Sequence, residues 1–115
     1  MAAPTIDLAT FKDLQETAGA EFVSELVDTF LEEAPMMLED LRKALAARDA
    51  DKFRRAAHSL KSNSNTFGAL GLGTLARELE LGAAQRVSEA RPDTLAALVG
   101  EYSRVAAALS ELRNA

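Results

Sequence analysis

The chain has 115 residues, 48% of them hydrophobic, with 13 basic and 18 acidic side chains and a formal net charge of -5. That length suits one domain around one core, and the absence of cysteine excludes disulfide frameworks, thiolate zinc sites and cysteine nucleophiles. An acidic balance argues against nucleic acid as a partner, and there is neither a signal-peptide pattern nor an apolar run of about 18 residues to enter or cross a membrane. A cysteine-free chain also fits a reducing compartment, so a cytoplasmic location is expected.

Alanine, leucine and glutamate dominate, and no segment alternates apolar and polar residues for long enough to make a strand. The expected class is all-α. The first helix starts near Asp7, carries Leu8, Phe11 and Leu14, and stops at Gly19. The second runs from about Ala20 to Glu33 with Phe22, Val23, Leu26, Val27, Phe30 and Leu31 on one side. Pro35 then breaks it and opens a third, which carries Met37, Leu38, Leu41, Ala44 and Leu45 and stops near Arg48.

Asp49 is the expected N-cap of a fourth helix reaching Phe67, with Gly68 and Gly71 in the turn that follows. A fifth carries Leu72, Leu75, Ala76 and Leu79 and ends near Gly82 or a turn later. Pro92 opens the last, whose stripe is Leu95, Leu98, Val99, Tyr102, Val105, Ala106, Leu109 and Leu112. Short connections between the long segments favour an up-and-down antiparallel four-helix bundle, with one or two additional helices at the N-terminus.

The fourth helix is the informative one. At about 100° per residue, Phe53, Ala56, Ala57, Leu60, Ser64 and Phe67 share one side. Asp51, Arg54, Arg55, His58, Lys61, Ser62 and Asn65 share the other. His58, the one histidine, is therefore expected in mid-helix, exposed, among cations and small polar groups. Neighbouring cations disfavour an imidazolium and favour the oxyanions of a phosphoryl group in transit. A residue four positions on leans back over the turn below it, so serine at position 62 leaves the ring open to approach. On periodicity alone the same face reads equally as a solvated one, with Arg54, Arg55 and Lys61 paired to surface carboxylates.

The stretch AAHSLKSNSNTFGA, residues 56–69, resembles the signature of histidine-containing phosphotransfer (HPt) domains. That signature is a histidine, an apolar residue two on, a lysine three on, a small residue four on and a glycine ten on. Here these are His58, Leu60, Lys61, Ser62 and Gly68. ARELE (76–80) and FLEEAP (30–35) resemble the family at matching places, so the likeness covers nearly the whole chain. It departs at position 62, where glycine is frequent and serine also common.

The resemblance implies a four-helix bundle and a phosphorelay role. His58 would accept a phosphoryl group from a phosphoaspartate on a receiver domain and pass it to another receiver. Lys61 would neutralise the phosphoryl oxygens, and Ser62 would give clearance and a possible hydrogen bond. Glu80 would orient the imidazole by accepting from Nδ1. Arg54, Arg55 and Asn65 would complete the phosphoryl surroundings.

The expected partners are receivers of response regulators or hybrid histidine kinases. The protein would be a phosphocarrier without kinase or ATPase activity, having no glycine-rich phosphate loop. It would hold no cofactor or metal, magnesium being expected on the receiver. Met1 and the complete bundle lead to the expectation of a free-standing domain, residues 1–115, acting as a monomer. Docking would use aliphatic residues near His58, with Ile6, Leu8, Phe11, Phe22 and Val23 as candidates, though Phe11 and Phe22 are expected in the core. The competing readings are a helical-bundle adaptor that carries no phosphate and a receiver-binding inhibitor, and in both His58 is dispensable.

Overall fold

A computed structural model describes residues 5–114 as six helices, with no strand among the described residues. They are α1 (Leu8–Ala18), α2 (Ala20–Ala47), α3 (Ala50–Thr66), α4 (Leu70–Leu81), α5 (Ala83–Glu89) and α6 (Ala96–Asn114). The bundle is formed by α2, α3, the α4–α5 pair and α6. α1 is the single additional N-terminal helix, packed on α2 and α3.

Each boundary has a local cause. Gly19 separates α1 from α2 at φ +93°, and its N–H closes the last turn of α1 on the Gln15 carbonyl at 2.8 Å. The Asp49 side chain caps α3 by accepting from the Lys52 backbone N–H at 3.0 Å. Gly68 turns the chain from α3 into α4 at φ +84°. Its carbonyl accepts from the Asp7 N–H at 2.8 Å, which ties the start of α1 to this turn.

The expected break at Pro35 does not occur. α2 continues through it for 28 residues, merging the second and third expected helices. Pro35 lies on the exposed side, where water can serve the carbonyl that loses its donor. The buried stripe Val23, Val27, Phe30, Ala34, Leu41, Ala44 and Leu45 keeps its phase on both sides of it. Core burial therefore outweighs one missing hydrogen bond.

Three other boundaries move. Gly71 lies inside the first turn of α4 rather than in the preceding loop. The chain re-enters a helix after Gly82, because Ala83 and Val87 find buried places against the bundle. The last helix begins at Ala96 instead of Pro92. Residues 91–95 form tight turns in which the Thr94 N–H and hydroxyl both donate to the Arg91 carbonyl.

One core joins all the helices. Val27, Leu41, Phe53, Ala57, Leu60, Leu72, Ala76, Val105 and Leu109 are fully buried. Phe30 lies at its centre, with ring centroids 5.4 Å from Phe67 and 6.1 Å from Tyr102. Buried Ser64 satisfies its hydroxyl by donating to the Leu60 carbonyl at 2.6 Å. Three apolar residues depart from the expected stripes: Leu8 and Phe22, each 52% exposed, and Val99, exposed on the outer side of α6.

A methyl group on Gly68 would lie 2.7 Å from the Asp7 carbonyl oxygen, at a φ that L-residues rarely adopt. Gly68→Ala is expected to lower stability by about 1–3 kcal/mol. Pro35→Ala is expected to raise it, since the helical hydrogen bond is restored without a change in packing. Urea denaturation checks both, and a Gly68→Ala midpoint equal to wild type would refute the first.

Candidate functional site

The site is a ridge along the outer side of α3 and the facing edge of α4. The residues flanking His58 in the core stripe, Ala57 and Leu60, are fully buried, so the backbone under the histidine is fixed by packing. The ring itself points outward, its side chain 58% exposed.

His58 Nδ1 lies 2.7 Å from Glu80 Oε2 on α4. The carboxylate is the acceptor, so Nδ1 carries a proton, and in the neutral form of the ring the lone pair lies on Nε2. No side chain among the described residues hydrogen-bonds Nε2. The other carboxylate oxygen of Glu80, Oε1, accepts from Lys61 Nζ at 2.8 Å. One carboxylate thus holds both the imidazole and the ammonium.

Glu80 is 17% exposed and Lys61 24%, so this pair is shielded more than the ring it serves. The Lys61 ammonium, and after it the His58 ring, hold the Glu80 carboxyl below the usual carboxylate range, against a desolvation that pushes it up.

The remaining expected residues fall on the same ridge with different partners. Arg54 and Arg55 are exposed and both bind Asp51, Arg55 Nη2 at 2.7 Å from its Oδ2. Pairing of these arginines with a surface carboxylate is what the solvated-face reading expects; that the carboxylate is Asp51, on the same face of the same helix, is the new detail. An i, i+3 and i, i+4 spacing is the signal that would have found it. The basic surround expected for His58 is therefore balanced in place, three cations meeting two carboxylates.

Ser62 is exposed one turn beyond His58. Asn65, two turns beyond, packs on α4, where a methyl group on Gly73 would come within 2.1 Å of its Oδ1. This contact was missed from sequence; a glycine in the middle of an otherwise helix-forming segment was its trace.

Among the docking candidates, Ile6, Phe11 and Val23 are buried, whereas Leu8 and Phe22 are each 52% exposed. The expectation that Phe22 belongs to the core is thus corrected. It stands at the first turn of α2, ahead of the buried stripe that begins with Val23. Exposed Leu70, at the start of α4, adds an aliphatic side chain that sequence reasoning passed over. No group of three or more potential metal ligands occurs among the described residues. No helix there is long and apolar enough to cross a membrane.

Comparison with known proteins gives one answer. Residues 25–115 match the family model described as Hpt domain. Over 98% of its length the chain superposes on 97% of histidine-containing phosphotransfer protein B (HptB) from Pseudomonas aeruginosa PAO1, with a TM-score of 0.87 and 31% identity. The HPT domain of a sensor hybrid histidine kinase from Shewanella shares the fold, at a TM-score of 0.74 and 20% identity, covering 94% of this chain and 92% of that one. Sensor protein TorS of Escherichia coli (strain K12) is 29% identical over 76 residues, which is 66% of this chain and 8% of the sensor's length. The chain belongs to the Hpt domain family, the histidine phosphotransfer intermediates of phosphorelays.

Proposed function

We propose that His58 is the phosphoryl carrier, loaded from the phosphoaspartate of one receiver domain and unloaded onto another. The observation that carries this reading is the Nδ1 contact to Glu80 at 2.7 Å, which leaves Nε2 unengaged on an exposed ring. Nε2 attacks phosphorus in line with the leaving carboxylate oxygen. An N–P bond forms, the P–O bond breaks and the electron pair returns to the aspartate. The bundle adds no phosphate-binding loop, so positioning by docking supplies most of the acceleration and magnesium belongs to the receiver. The protein acts as a carrier and not as a kinase or ATPase.

Glu80 is a positioning residue in this scheme, because it fixes the tautomer that makes Nε2 the nucleophile. Lys61, one helical turn from the ring and sharing the Glu80 carboxylate with it, supplies a cation for the phosphoryl oxygens. Ser62 keeps the approach clear.

Incubation with a phosphorylated cognate receiver is expected to move the label onto the protein as an acid-labile, base-stable adduct. His58→Gln is expected to abolish it. A label that persists in His58→Gln, or that no cognate receiver delivers, would sink the reading in favour of an adaptor or inhibitor.

Ser62→Leu is expected to slow receiver-dependent loading at least about tenfold, since the larger side chain covers the approach to the ring. Loading by phosphoramidate, a donor small enough to reach the ring, should change much less. Equal losses with both donors would assign the effect to the ring itself and not to clearance.

The Glu80 bridge also predicts a pH dependence. Its carboxyl is held lower in the folded protein than its ordinary value of 4.5, so the unfolded chain takes up its proton first as pH falls. The stabilisation is complete above that value and is lost as pH drops through the lower folded value. The stability difference between wild type and Glu80→Gln should therefore be constant near neutrality and shrink below pH 4.5. Parallel stability curves across that range would count against the bridge.

A further inference from the structure

Glu80 uses both carboxylate oxygens at once, Oε2 for His58 Nδ1 at 2.7 Å and Oε1 for Lys61 Nζ at 2.8 Å. Before phosphoryl transfer this is a sound arrangement, because the nucleophilic form of the ring is neutral and needs only an acceptor for its N–H. Transfer changes the charges. The ring keeps its Nδ1 proton while Nε2 becomes bonded to phosphorus, so it turns cationic. The phosphoryl group attached to it carries the oxyanions. Two anions then face two cations where one anion had served a cation and a neutral donor.

Resting on the phosphocarrier reading, we propose that Lys61 is handed from Glu80 to the phosphoryl group when His58 is loaded, leaving Glu80 to the cationic ring. The reach is short. Lys61 stands three residues after His58, so the two side chains are neighbours on the helix surface, and the lysine stem is flexible. The shielded position of Glu80 makes its charge effective at the ring. The other cations on this side are Arg54, Arg55 and, one turn before Glu80 on α4, the exposed Arg77. Arg54 and Arg55 pair with Asp51 at the exposed N-terminal end of the ridge, and Arg55 also lines a cleft with Asp40, Lys43 and Lys52 on the α2 flank, whereas Lys61 alone shares Glu80 with the ring.

The hand-over has a chemical purpose in the second transfer. When the next receiver takes the phosphoryl group, the N–P bond breaks and its electron pair returns to Nε2. If Nδ1 still holds its proton, the departing group is neutral imidazole. If that proton has been lost, it is imidazolate, a far poorer leaving group. By giving Glu80 wholly to the ring, the hand-over keeps Nδ1 protonated for as long as the phosphoryl group is carried. Lys61 returns to Glu80 once the histidine is unloaded.

The test compares wild type, Lys61→Met, Glu80→Gln and the double variant. Each is loaded with phosphoramidate, whose P–N bond breaks to release ammonia, and then mixed with a magnesium-loaded receiver. Each single substitution is expected to slow onward transfer about tenfold, and the double variant should be no slower than the slower single, because both remove one linked exchange. Losses that multiply to about a hundredfold would mean that the two residues act independently, and would overturn the hand-over.

A second measurement needs no variant. In wild type the Lys61 Nζ nitrogen resonance should move when the protein is loaded, as the ammonium exchanges a carboxylate for a phosphoryl partner. A resonance that stays in place overturns the proposal. Failure of the underlying reading looks different, since phosphoramidate would then leave His58 of the wild type unlabelled, taking the hand-over with it.

Discussion

Everything at this site depends on the register between α3 and α4. The two helices run antiparallel from the turn at Gly68 and Ala69, and two contacts pin their alignment. Asn65 meets Gly73 four residues on either side of Ala69, and His58 meets Glu80 eleven residues on either side. Along each helix the contacts are seven residues apart, about 10 Å and two turns. Both helices carry fully buried small residues near these contacts, Ala57 and Ser64 on α3 and Ala76 on α4. Small side chains let the helices approach closely, and only a close approach brings a glutamate within hydrogen-bond reach of a histidine on the outer side of its neighbour. Larger side chains along this seam would push α4 outward and part the carboxylate from the ring.

That register also decides how the local charge is spent. A wheel drawn on α3 alone shows a basic strip in an acidic protein. The folded chain turns the strip into pairs. Asp51 draws both arginines toward the N-terminal end of the ridge, and Glu80 draws Lys61 and the imidazole toward α4. The field at His58 is therefore set by a shielded carboxylate and ammonium, and only secondarily by the exposed arginines, whose interaction with Asp51 is screened by water.

The sequence made the class of fold legible because the apolar periodicity of α2, α3 and α6 is strong. The outward face of α3, with His58, Lys61, Ser62 and Asn65, followed from angular position alone. What stayed hidden needed information from outside a single helix. Pro35 has the local properties of a breaker, and only the continuity of buried residues from Phe30 through Ala34 to Leu41 shows why α2 overrides it. Phe22 has the composition of a core residue, yet it belongs to a first turn that no other helix covers. Helical periodicity alone does not single out Glu80 among the glutamates of the chain. The family resemblance names it as the acceptor for Nδ1, and the structure brings it within 2.7 Å of the ring, in a register that Gly73 and the turn at Gly68 help to set.

α3 serves the core and the site at once, and the two duties support each other. Phe53, Ala57, Leu60 and Ser64 lock its inner face into the bundle, so the Cα positions of His58 and Lys61 are held without any contribution from the exposed side. A nucleophile carried on such a scaffold loses little conformational freedom when a partner docks. The freedom left to the site lies in rotatable side chains such as the lysine stem, whose ammonium rests against the Glu80 carboxylate. Under the proposed hand-over, a rigid backbone and one exchangeable ion pair let the same ring be a good nucleophile when empty and a good leaving group when full.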